Sequence, residues 1–191
     1  MIKKTIVGFI FLVFLASTIY AVDFNVGLFF GERTVNDSDI KYIYGQGYIY
    51  FPYLNVNISK AIIFGLGYEG GYSKEGEIGI YKEPACLRIV GPEIFIGYQL
   101  RLKSFFPYLK IGCGYFAYKQ TVESAYVEEY KVDGKKATVT FSGGFKVFVL
   151  NYLFLGTEVK YVPLRVQPYE NRVDLGGIRY LIGFGFRFEL K

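Results

Sequence analysis

Hydrophobic and polar side chains alternate along most of this chain with a period of two. The final stretch, YLIGFGFRFELK, shows the pattern plainly: Tyr180, Ile182, Phe184, Phe186, Phe188 and Leu190 fall on one side of an extended chain, and Leu181, Gly183, Gly185, Arg187 and Glu189 on the other. A strand sends successive side chains to opposite faces. The pattern therefore predicts a strand with one aromatic face and one face of glycine and charge. Seven earlier stretches repeat it, near Asp23–Arg33, Tyr48–Ser59, Ala61–Tyr72, Leu87–Leu102, Tyr108–Lys119, Ala137–Val149 and Phe154–Leu164.

The connections alternate in length. Tight turns are predicted at Ser59–Lys60, within KSFFP and at LNY; between them lie the polar segments TVNDSDIKYIYGQG, SKEGEIGIYKEPA, QTVESAYVEEYKVDGKK and RVQPYENRVD. Asp133–Gly134 is a hairpin-turn signal, so the third of these segments is expected to project as a ribbon. Pro52 cannot donate to a ladder, which suggests a bulge or a strand end at that point. In the third strand the alternation puts Ile62, Phe64, Leu66, Tyr68 and Tyr72 on the apolar face and Gly65, Gly67, Glu69 and Gly71 opposite. No helix is required beyond the N-terminal segment.

Eight antiparallel strands of this kind fit two barrels. A soluble, lipocalin-like barrel turns its apolar face inward. A membrane barrel reverses the faces, with lipid outside and a polar lumen inside. The polar face decides between them, because it is rich in glycine: Gly27, Gly31, Gly65, Gly67, Gly71, Gly91, Gly97, Gly112, Gly114, Gly144, Gly183 and Gly185 are placed on it. Glycine weakens an exposed strand. In a narrow lumen it makes room for larger neighbours, here Phe95, Phe116, Arg179 and Arg187. The opposite face is continuous, large and aromatic, with strands long enough for the roughly 9–11 residues of a tilted crossing. The predicted fold is all-β: an eight-stranded antiparallel up-and-down transmembrane β-barrel, closed so that no sheet edge meets lipid.

The N-terminus agrees. MIKKTIVGFIFLVFLASTIYAVDF carries Lys3 and Lys4, then an apolar run from Ile6 to Leu15, then small residues. This is a secretory signal-peptide pattern, with cleavage placed after Ala21 and Thr18 as the other option. The 191 residues then divide into a signal peptide, 1–21, and a barrel domain, 22–191. Two positive charges of the formal +5 belong to the signal peptide, and no Lys/Arg cluster forms a nucleic-acid footprint.

On these residues, above all the terminal GIRYLIGFGFRFELK and the eightfold alternation, the chain resembles the small eight-stranded outer-membrane β-barrel proteins: the OmpX-like, OmpA-barrel-like and OmpW-like families. The resemblance covers the signal peptide and residues 22–191. It implies a location in the bacterial outer membrane, with lipid and the barrel-insertion machinery as partners and a monomeric state. The strand carrying Tyr180, Ile182, Phe184, Phe186, Phe188 and Leu190 would serve insertion and closure. Family members typically end on an aromatic residue, whereas here Glu189, Leu190 and Lys191 follow Phe188.

Candidate chemistry is sparse. The chain has no histidine, which argues against the His-dependent hydrolases found on this fold and excludes His-ligated zinc or haem. No cofactor or metal site is expected, and no enzyme activity. Cys86 and Cys113 read as free thiols. GLGYEG, Gly65 to Gly70, matches a dinucleotide fingerprint but lies within a strand, where a phosphate-binding turn cannot form. The interior charges are the candidate site: Glu69, Glu93 and Glu158 with Lys110, Lys146, Lys160, Arg179 and Arg187. Buried charges require partners, so a salt-bridge network that closes the lumen is expected, with Glu69 and Glu93 sharing a cation such as Arg179. The function expected is structural or surface-binding. The alternatives are a narrow pore or conduit for ions or small hydrophobic molecules, and a soluble exported ligand-binding barrel.

Overall fold

The computed structural model describes residues 22–58, 61–124, 130–168 and 172–190. The signal segment 1–21, the turn at Ser59–Lys60, the loop tyrosines Tyr126 and Tyr169, Lys191 and the side chain of Leu190 lie outside the described residues.

The elements run β1 (Val22–Arg33), α1 (Ser38–Tyr44), β2 (Gly47–Asn57), β3 (Ile62–Ile78), β4 (Glu83–Gln99), β5 (Phe105–Val122), β6 (Tyr130–Phe148), β7 (Leu153–Val162), β8 (Arg165–Val166), β9 (Val173–Asp174) and β10 (Gly177–Leu190). Strands β1 to β7 pair in sequence order, and β10 closes the barrel between β7 and β1. All pairs are antiparallel. Strands β8 and β9 form a separate two-stranded hairpin in the connection between β7 and β10. The start of β1 and the end of β10 share one end of the barrel with the short turns. The longer connections gather at the other end.

The closing seam shows why the alternation folds this way. Val26 faces Phe186, Leu28 faces Phe184 and Phe30 faces Ile182 on the outside; Phe29 faces Gly183 on the inside. Gly183 is needed there: a Cβ would lie 2.7 Å from the Cα of Phe29 and 2.7 Å from its ring, and would run into the Leu28 carbonyl. Large and small side chains thus alternate across the inner wall, as a narrow barrel requires.

The outward face is apolar and exposed. On β10 it runs from Tyr180 to Phe188 through Ile182, which is 67% exposed. Toward the long-loop end it finishes in a ring of tyrosines, Tyr48, Tyr50, Tyr68, Tyr115, Tyr161 and Tyr180. Near the short-turn end lie Tyr98, Phe105, Tyr152 and Phe188. A belt of this kind greatly exceeds the apolar patches of soluble monomers and has the aromatic borders of a bilayer-spanning wall.

Several expectations are corrected. Residues 38–44 form a helix where a polar loop was expected; Asp37 caps it, its carboxylate accepting from the backbone N–H groups of Asp39 and Ile40. Pro52 neither ends nor bulges β2, because the β2–β3 register is the same at Tyr50↔Gly70 and Tyr53↔Gly67. The bulge lies in β3 between Glu69 and Tyr72, where Gly71 takes φ +90°. That conformation suits glycine, and the extra residue reverses the alternation. Tyr72 is consequently buried inside and Gly71 is exposed. SKEGEIGIYKEPA is mostly strand, since β3 and β4 continue to a turn at 79–82. The third long segment does form a ribbon, but Asp133 and Gly134 lie within β6, paired with Lys119 and Tyr118.

Candidate functional site: the barrel interior

Inward-facing side chains fill the barrel in layers. At the long-loop end, Glu69 of β3 is held between two arginines. Arg33 Nη1 donates to Glu69 Oε1 at 3.1 Å, and Arg179 donates through Nε to Oε2 and through Nη2 to Oε1, each at 3.3 Å. Two further donors reach backbone, Arg33 Nη2 to the Leu175 carbonyl and Arg179 Nη1 to the Gly177 carbonyl, both at 2.6 Å, whereas Arg33 Nε has no acceptor among the described residues. All three side chains are fully buried. The connection after β7 therefore folds back over the barrel end and supplies acceptors to the arginines beneath it.

The middle layer holds Glu93 of β4, which accepts from Lys160 Nζ and Thr140 Oγ1, each at 2.9 Å. Lys160 also lies 3.3 Å from the centroid of the Phe51 ring. Glu69 and Glu93 therefore do not share a bonding partner: Arg179 bonds Glu69 and Lys160 bonds Glu93. Below, Glu158 Oε2 accepts from Lys110 Nζ at 2.6 Å and from the Tyr108 hydroxyl at 2.9 Å. Each carboxylate thus has its own charge-assisted bonds, which makes its burial tolerable. Between the layers, Phe29, Phe51, Phe95, Phe116 and Phe154 are buried to 2% exposure or less.

Lys146 differs. Its Nζ has no hydrogen-bond acceptor among the described residues. It sits among the faces of Tyr53, Tyr108 and Phe154, 4.9 to 5.5 Å from their centroids. Cation–π attraction compensates part of the lost hydration. Around it, Asn25, Asn57, Gln99, Arg101 and Phe106 crowd the short-turn mouth and leave no room for a water-sized sphere. Arg101 bonds Asp23 at 2.6 Å across this mouth. Arg187 stands apart from the interior charges. It donates to the Asn151 carbonyl at 2.8 Å, pairs with Glu189 at 3.1 Å and stacks over Phe148.

Arg33, Tyr108 and Thr140 belong to the network but were not singled out from sequence, nor were Phe29, Phe51 and Phe154. The same alternation would have found them, since each lies an even number of residues from an interior residue of its own strand. Both cysteines are free; Cys113 is exposed on the outer wall and Cys86 is half-buried beside Ser73. Among the described residues no group of acidic or thiol side chains could hold a metal.

This architecture defines a class by fold, the small eight-stranded antiparallel barrel. No protein-family model matches the chain, and no curated protein sequence matches it. Solved structures do. Ail, the attachment invasion locus protein and an outer-membrane protein of Yersinia pestis, superposes with a TM-score of 0.56 at 10% identity, over 88% of this chain and 99% of Ail. Neisserial surface protein A superposes with a TM-score of 0.54 at 12% identity, over 87% of this chain and 97% of that one. The chain therefore has the fold of the small outer-membrane barrels that its sequence resembles.

Proposed function

We propose that this chain is exported, loses residues 1–21, and serves as a monomeric, non-enzymatic β-barrel of the bacterial outer membrane, with a structural or surface-binding role. The observation that carries this reading is the pair of faces. The outer wall is an apolar belt bordered by tyrosines, and the polar and charged side chains point inward. Water around the first and lipid within the second would both be unfavourable. Insertion would use the barrel-insertion machinery, with Tyr180, Ile182, Phe184, Phe186, Phe188 and Leu190 on the closing strand. The interior charges Glu69, Glu93, Lys110, Lys146, Glu158, Lys160 and Arg179 would act with the five buried phenylalanines as a plug, and Arg187 would close the short-turn mouth.

The mature chain is expected to migrate differently on a detergent gel before and after boiling, and to fractionate with outer membranes. A freely soluble mature chain would remove the membrane reading. One observation favours a conduit as the second reading: the interior holds Arg33, Lys110, Lys146, Lys160 and Arg179 against Asp23, Glu69, Glu93 and Glu158, with Asp23 paired to a further cation, Arg101, an excess of positive charge that suits anions. Planar-bilayer recording separates the two. A plugged barrel is silent, whereas channels altered by Glu69→Gln or Arg179→Gln would establish the conduit.

A further inference from the structure

The β5–β6 ribbon and the β8–β9 hairpin enclose an open groove of about 340 Å³ at the long-loop end. Lys135 and Lys136 line it from the ribbon, Arg165 and Arg172 from the hairpin segment, and Tyr118 between them. All four cations are exposed. Among the described residues, Asp174 is the carboxylate that pairs with the set, 3.6 Å from Arg165 Nε and itself tied to the backbone N–H of Gly176. On the ribbon, Asp133 stands opposite Lys119. Among the described residues, Lys135, Lys136 and Arg172 form no ion pair. Among the described residues, the groove thus gathers four cations against one carboxylate. This sets it apart from the interior, where every buried cation except Lys146 is bonded to a carboxylate.

Its depth is informative. Tyr115, in the tyrosine ring of the outer wall, pairs with Ala137; the next pairs along the ribbon are Phe116↔Lys136 and Ala117↔Lys135. The groove therefore opens immediately beyond the aromatic border, at the level where the wall leaves the apolar layer and lipid headgroups begin. Consecutive strand residues point to opposite faces, so Lys136 shares the face of Tyr118 and Lys135 lies on the other. Two guanidinium forks and the Lys136 ammonium suit a dianionic oxyanion, for which arginine supplies paired donors and lysine a point charge. The Tyr118 ring offers a flat face beside them. A groove of this volume admits a sugar-sized ligand.

We propose that this groove binds a phosphate-bearing sugar, with Lys136, Arg165 and Arg172 as the phosphate contacts and Tyr118 as the sugar platform. The proposal rests on the surface-binding reading above. The phosphorylated sugar could be presented in solution or as the headgroup of a glycolipid in the surrounding leaflet; the chemistry at the groove is the same.

The test uses the mature barrel in nanodiscs of neutral lipid, titrated with glucose 1,6-bisphosphate and, separately, with glucose. Saturable binding of the bisphosphate alone is expected, weakened ~10-fold or more by the double variant K136Q/R172Q and by raising salt to about 150 mM. Lys103→Gln, in the short turn at the opposite end, should leave it unchanged. Discs carrying a bis-phosphorylated glycolipid are then compared with discs carrying its dephosphorylated form. Loss of bisphosphate binding only in the phosphorylated discs assigns the site to a lipid headgroup, and retention in both assigns it to a soluble sugar phosphate. No saturable binding in either lipid, by barrels that still show heat-modifiable migration, would overturn the proposal. So would binding that K136Q/R172Q leaves intact. An epitope inserted after Gly79, probed on intact cells, tests the surface reading separately: an epitope hidden in intact cells would defeat that reading even where purified barrels bind.

Discussion

The two ends of the barrel interior handle buried charge in opposite ways. At the long-loop end, Glu69 is bonded by two guanidinium groups, each of which also donates to a backbone carbonyl, of Leu175 or Gly177, leaving only Arg33 Nε without an acceptor among the described residues. At the short-turn end, Lys146 is just as deeply enclosed, yet it rests on aromatic faces with no acceptor among the described residues. The first arrangement is an interlocked unit in which losing one member strands the others. The second is a single cation that an apolar side chain could replace. Burial alone therefore does not say how strongly a charged residue constrains this barrel; the number of partners left stranded by its removal does.

Substitutions should separate the two cases, beginning with the largest effect. Glu69→Gln leaves Arg33 and Arg179 buried side by side without a counter-charge, and should destabilise the folded barrel by about 3–5 kcal/mol, read as a fall in the urea midpoint of unfolding from lipid. Gly183→Ala tests the walls instead of the charges. The new methyl would meet the backbone of β1, and a loss of about 1–3 kcal/mol is expected from overpacking, measured the same way. Lys146→Met should fall within about 1 kcal/mol of the parent or exceed it in stability, because an apolar side chain replaces an incompletely satisfied cation. A loss as large as that of Glu69→Gln would erase the proposed distinction between the two ends. Arg165→Gln removes an exposed pair with Asp174 and should change stability by less than about 1 kcal/mol, so that its effect on ligand binding can be read cleanly.

The alternation made the barrel legible from sequence because this chain has two dissimilar surroundings, and each strand records both. Glycine on the polar side marked that side as the interior before any pairing was known. What escaped had local causes. One extra residue at Gly71 reversed the alternation, so Tyr72 was placed outside although it is buried. Beyond the apolar belt the outer face of the β3–β4 ribbon turns polar, with Ser73, Glu75 and Glu77 where the belt has aromatic and aliphatic residues, although Ala85 and Leu87 stay buried on the inner face. Those extensions therefore read as loops. Helix α1 carried a usable signal, Asp37 as N-cap, within a segment dominated by loop residues. In the interior network, parity placed Glu69, Glu93 and Glu158 inside, but which cation serves which carboxylate depends on barrel stagger. That is why Arg179 was assigned to both Glu69 and Glu93; Arg33 lay within reach of parity, at the end of its strand.

The central claim is that the aromatic face meets lipid and the glycine and charge face packs the interior. The chain contains no tryptophan, so a single introduced tryptophan reports alone. Phe184→Trp places it on the outer wall, and Phe148→Trp places it inside, where Phe148 packs against Phe106 and Phe154. In bilayers with brominated acyl chains, the account predicts strong quenching of the first and little of the second. Quenching of the tryptophan at 148 with none at 184 would contradict it and turn the barrel inside out.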